Sequence, residues 1–171
     1  MPYAKHTFSR RVFPALFAAL IALPAAAQQI EPFSDASGYS VARVMDQPVC
    51  LASIRSKSTA GQDFIYTYFQ TNAGQRWHTI GYVESTALLS GTASLRVSVD
   101  GEEALDRATE TREGDFMLPF ETLDEITAFE NMIPEGIYMT VEVAENNDTI
   151  PIELGRYRDA LVAIDACLGA P

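Results

Sequence analysis

Arg76-Trp77-His78 brings together the only tryptophan, a guanidinium and one of the two histidines of the 171-residue chain. An imidazole that titrates near neutral pH beside a fixed cation is a grouping from which acid–base or recognition chemistry can be built. On a strand, alternation sends Arg76 and His78 to one face and Trp77 to the other, with Tyr82 further along the face of His78. The expectation is an exposed recognition patch of Arg76, His78 and Tyr82, with the Trp77 ring filling the core. Cys50 and Cys167 are the other reactive pair. Zinc wants four ligands, usually in closely spaced pairs, which two distant cysteines and His78 do not supply, so no metal is expected. In an oxidising compartment an even cysteine count is most simply one disulfide, here joining an early strand to the last helix; two buried free thiols are the alternative.

Templates for catalysis fail on inventory. Any Ser-His-Asp or Cys-His system beyond the N-terminal segment has to use His78, and there is no Gly-x-Ser-x-Gly elbow, phosphate-binding glycine loop or His-Glu-x-x-His helix. A glycosidase-like carboxylate pair stays open with 23 acids to choose from. Asp100-Gly101-Glu102-Glu103 and Asn146-Asn147-Asp148 bunch oxygen ligands without the spacing of a calcium loop. No catalytic residue and no cofactor is assigned.

The elements that must position these groups are mostly strands. Tyr39–Val44, Val49–Ile54, Asp63–Gln70, Arg76–Val83 and Ala93–Val99 are short, rich in β-branched or aromatic residues, and separated by Gly, Asn, Asp and Ser clusters. Period-two alternation puts Phe64, Tyr66 and Tyr68 on one face and Ile65, Thr67 and Phe69 on the other. Asn72-Ala73-Gly74 and Asp100-Gly101 supply hairpin turns. Thr122-Leu123-Asp124-Glu125 has the pattern of a capping box, and Leu123, Ile126, Phe129 and Ile133 follow at helical spacing until Pro134 and Gly136. Two strands, Ile137–Val143 and Thr149–Leu154, precede a final helix marked by Tyr157, Leu161, Ile164 and Leu168. Strands this close in sequence cannot be joined by βαβ crossovers. The expected fold is mainly β (α+β): an antiparallel β-sandwich or partly open barrel of seven or eight strands with two helices, one C-terminal.

Ahead of this domain, Val12 to Ala27 is a sixteen-residue run without charged or hydrogen-bonding side chains, preceded by Lys5, Arg10 and Arg11 and closing on three alanines. This reads as a signal peptide over 1–27, then a flexible lead-in over 28–37 and a single β-rich domain over 38–171. A periplasmic or secreted bacterial location follows, with no membrane span after cleavage. Ser9-Arg10-Arg11-Val12-Phe13 resembles the twin-arginine export motif only in part, so the Sec route is favoured. Without the signal the chain holds 9 Lys+Arg against 23 Asp+Glu, and sixteen of those acids fall between Asp100 and Glu153 with only Arg107 and Arg112 among them. Nucleic acid is thereby a poor partner. The acidic stretch is expected to form one continuous negative surface, either a solvated face or a docking surface for a basic partner.

The order of features resembles a known group. An early strand cysteine, a mid-chain Trp strand, a Val-rich strand ending in Asp100-Gly101, a helix followed by Gly136 and a strand, then Ile152-Glu153-Leu154-Gly155, Ala160-Leu161 and a last-turn Cys167 look like the invasion-associated locus B family. Those are small periplasmic β-sandwich proteins of alphaproteobacteria. The chain departs from them at Tyr39, where the family tends to carry Trp, and in lacking an extra cysteine soon after. The resemblance implies a role at the cell envelope and, in pathogens, in host-cell entry, with no catalytic residues to carry over.

Three functions follow as expectations. The first is a non-catalytic exported binding protein for a protein or cell-envelope component. The second is a small periplasmic hydrolase using carboxylates or His78. The third is a carrier of a small apolar ligand, in a pocket lined by Phe64, Phe69 or Phe116.

Overall fold

The computed structural model describes residues 30–36, 38–83, 91–112 and 114–170. The expected export signal over 1–27 lies outside them. The described residues form one antiparallel sheet of ten strands: β1 (Ile30–Ala36), β2 (Tyr39–Val44), β3 (Val49–Lys57), β4 (Asp63–Thr71), β5 (Arg76–Tyr82), β6 (Gly91–Val99), β7 (Glu102–Arg112), β8 (Asp115–Met117), β9 (Tyr138–Val143) and β10 (Asp148–Glu153). Their spatial order is β1-β2-β3-β4-β5-β8-β7-β6-β9-β10. Two helices, α1 (Leu123–Met132) and the C-terminal α2 (Tyr157–Gly169), complete it, with a 3-10 turn over Ile133–Glu135.

The sheet curls until its last strand meets the far end of β3. The Thr59 amide donates to the Thr149 carbonyl at 2.8 Å, and the Ser56 hydroxyl to the Pro151 carbonyl at 3.4 Å. Asp148 fastens this seam. Buried at the start of β10, its carboxylate accepts the Ala60 amide at 3.1 Å and the Tyr82 hydroxyl at 2.9 Å. Burial alone would raise its pKa, but these bonds together with Ser58 and the Thr149 amide outweigh it and hold the carboxyl below its ordinary range. A partly open barrel results.

Alternation decides what lines it. Phe64, Tyr66 and Tyr68 of β4, Ile80 and Tyr82 of β5, Leu95, Val97 and Val99 of β6 and Ile150 and Ile152 of β10 all enter one core. Onto that core α2 lays Tyr157, Ala160, Ile164 and Cys167. The Sγ atoms of Cys50 and Cys167 lie at disulfide distance, 1.94 Å, with Cα atoms 6.3 Å apart. Arg43 of β2 donates to the Cys167 and Ala170 carbonyls at 2.6 and 2.8 Å, supplying the cation that the last turn of α2 itself lacks.

Three expectations are corrected. The lead-in read as flexible contains β1, an edge strand paired to β2 with a register shift between Pro32 and Ser34. Proline is tolerated there because an edge position demands no ladder donor. Leu123, read as part of the buried stripe of the first helix, is 61% exposed, and Phe129 is the only residue that α1 buries. The third concerns β5. Trp77 is on the outer face, stacked on Phe69 at 5.0 Å in a second cluster with Ala42, Val44, Val49 and Leu51, while His78 is inside at 0% exposure.

Candidate functional site

The hairpin between β4 and β5 sets the register that places Tyr68 opposite His78. Since Phe64, Tyr66 and Tyr68 face the core, His78 has to face it too. Its ring is surrounded by aromatic groups: Tyr68 at 5.1 Å, Phe129 edge-on at 5.1 Å, and Tyr66 and Phe120 each at 6.0 Å. Nδ1 lies 2.7 Å from the Tyr66 hydroxyl. Nε2 faces Glu130 of α1, 3.4 Å from Oε1, too poorly aligned for a hydrogen bond, so both atoms are buried without one. With Tyr66 donating to Nδ1, the ring proton belongs on Nε2, toward the carboxylate. Desolvation lowers the His78 pKa, and the neighbouring Glu130 carboxylate opposes it without reversing it.

The same Glu130 carboxylate pairs with Arg76, which also donates to the Thr127 hydroxyl at 3.2 Å. Arg76 and His78 thus share a face, as expected from alternation, but they meet through a residue of α1 that sequence reasoning did not single out. Glu130 follows Phe129 and is one of sixteen acids between Asp100 and Glu153, so nothing in its local pattern set it apart. Tyr82 is not part of this group; its hydroxyl belongs to the Asp148 seam. The exposed pair of Arg76 and His78 is therefore corrected to a half-buried Arg76 over a sealed His78, because burial on β5 follows register rather than polarity.

Above this group opens a cleft of about 370 Å³, walled by Tyr68, Gln70, Arg76, Glu130, Leu161 and Asp165. Its polar groups are held in place by one another. The Tyr68 hydroxyl donates to Gln70 at 2.7 Å, and the Gln70 amide reaches Asp165 of α2 at 3.5 Å. Burial raises the Tyr68 pKa, so its ring stays neutral. Further down lie Tyr39 and Tyr157, with rings 6.0 Å apart and hydroxyls buried without a hydrogen-bond partner.

A larger depression, about 450 Å³, lies on the outside of β6 and β9 among Arg96, Asp106, Glu142 and Asn147. There Arg96 is engaged by Glu103, Asp106 and Glu142 at 3.3 to 3.8 Å. Phe64 and Phe116 are packed in the core and Phe69 is on the outer face, so the three do not converge on one pocket. Among the described residues no cluster of His, Cys, Asp and Glu is arranged to hold a metal, and no helix is long and apolar enough to cross a membrane. The Asp100 carboxylate instead accepts the Ile137 and Tyr138 amides at 3.0 and 2.9 Å. With Asp148 buried and Glu130 nearly so, the carboxylates between Asp100 and Glu153 do not all share one outer surface.

No family model, no curated protein and no solved structure matches this chain. The likeness to the invasion-associated locus B family accordingly stands on the order of sequence features alone.

Proposed function

We propose that this chain is an exported cell-envelope or periplasmic binding protein without catalytic activity, and that it receives a basic side chain of a protein or envelope component in the cleft between β4, β5 and the helices. The cleft carries the reading. It has ample room for a long side chain, an aliphatic wall at Leu161 and an aromatic one at Tyr68, and two carboxylates against one guanidinium. The sequence supports export, and the family resemblance supports a role in envelope function or host-cell interaction.

Titration of the isotopically labelled protein with acetyl-lysine amide and acetyl-glutamate amide tests it. The lysine probe is expected to shift the resonances of Gln70, Leu161 and Asp165, and Asp165→Asn to weaken the effect; equal response to both probes, or none, overturns the reading.

A hydrolase is the second reading, drawn from the contact between Glu130 and His78. The sealed ring weighs against it, since both of its nitrogens face protein groups and a substrate entering the cleft meets Glu130 but not the imidazole.

A further inference from the structure

Helix α1 is fastened to the sheet at few points. Phe129 is its one buried side chain, packed against His78 and against Phe120 at 5.0 Å. Its polar ties are Arg107 to Glu125 at one end and Arg76 to Thr127 and Glu130 at the other. Two of these fastenings, Phe129 and Glu130, bear directly on one imidazole. We propose that Arg76, His78 and Glu130 form a proton-sensitive latch that holds α1 over the sheet, and that acidification releases the helix and with it the Glu130 wall of the cleft. The proposal rests on the reading of that cleft as the binding site.

Titratable groups reach His78 from every side: Tyr66 and Tyr68 on β4, Arg76 on β5, Glu130 on α1, with Tyr157 of α2 and Tyr39 of β2 behind them. Burial drives the tyrosines upward in pKa, which leaves Arg76 and Glu130 as the charged members. A second proton on His78 has to go to Nδ1, where Tyr66 is already donating. The Tyr66 bond must then reverse and its own proton turn toward the unpartnered Tyr157 hydroxyl, while the added charge sits on a ring that solvent does not reach. Once α1 lifts, the imidazole is solvated and takes the proton at its ordinary pKa of 6.5. Because the open form binds the proton more readily, linkage makes acid favour opening. The sign would be the opposite had Glu130 outweighed burial.

Amide hydrogen exchange on the whole protein, corrected for the intrinsic pH dependence of exchange, provides the test. Between pH 7.5 and 5.5 the open fraction of Leu123–Met132 is expected to rise, by up to about tenfold, while protection of β3 and β4 changes little. His78→Gln keeps a donor toward Glu130 and an acceptor toward Tyr66 but cannot titrate, and is expected to abolish the rise. Should that variant fail to fold, the imidazole resonances of the unaltered protein decide: in molecules whose α1 is closed His78 is expected to take up its proton only below its ordinary range. A His78 that becomes cationic within its ordinary range beneath a protected helix, or a uniform loss of protection across all elements, overturns the latch. No ligand enters this measurement. Failure of the exchange result leaves the cleft reading standing, whereas a lysine probe that never binds removes that reading and leaves an acid-released helix.

Discussion

One hydroxyl, that of Tyr66, determines where His78 carries its proton. Tyr66→Phe removes the donor to Nδ1 and leaves a buried nitrogen unpaired, at a cost of about 1–3 kcal/mol, to be read from urea unfolding. A phenylalanine ring fills almost the same volume, so the loss reports the hydrogen bond and not a cavity. Glu125 illustrates charge at a more open position. Bidentate pairing with Arg107 at 2.7 and 2.9 Å, then the Glu121 amide, lower its pKa from 4.5 to about 2. Its contribution to stability is thus complete above about pH 4.5 and disappears as pH falls toward 2. Arg107→Ala is expected to flatten the acid limb of the stability curve in that window, as followed by thermal unfolding. The Thr122 hydroxyl accepts the Glu125 amide at 3.2 Å, as the capping pattern requires, but the Glu125 carboxylate returns chiefly to Glu121, one residue before the cap.

Elements were more legible than their faces. Strand alternation, the Asp100-Gly101 turn with φ of 50° and 86°, and both helices could be read directly from the residues. What sequence left unreadable was the sense of burial on β5. An alternating strand of mixed polarity fits either way round, and chemical type argued for Trp inside and His outside. Pairing with β4 reverses that, through contacts no local window contains. Glu130 escaped for a related reason, since its partners come from a strand more than fifty residues earlier. β1 was hidden because all but one of its residues are exposed, so it has no apolar rhythm. The cross-link was readable by counting alone, and it ties α2 to β3 across 117 residues. Cys50→Ser is expected to lower stability by about 4–5 kcal/mol at most, the chain-entropy limit for so long a loop, with the same loss on reducing the unaltered protein. Paired denaturation curves with and without reductant check this.

At the scale of the whole molecule, charge is in excess but locally managed. Arg96 and Arg107 each gather several carboxylates, Arg76 takes Glu130, and Asp100 and Asp148 are occupied by backbone amides. The remaining acids repel one another, and moderate salt screens them within roughly 8–10 Å. Melting temperature is therefore expected to rise between low and physiological ionic strength, measured by calorimetry in a buffer that does not bind the protein; a fall means that the ion pairs outweigh the repulsion. The joined cysteines have a mechanical consequence as well. Stretched between residues 30 and 170, the oxidised protein can pay out only the chain outside the 117-residue loop, about 80 Å of extension, against about 500 Å once the sulfurs part. Under load, β1 and β2 would peel away as a short fuse while the barrel from β4 to β10 bears no tension at all.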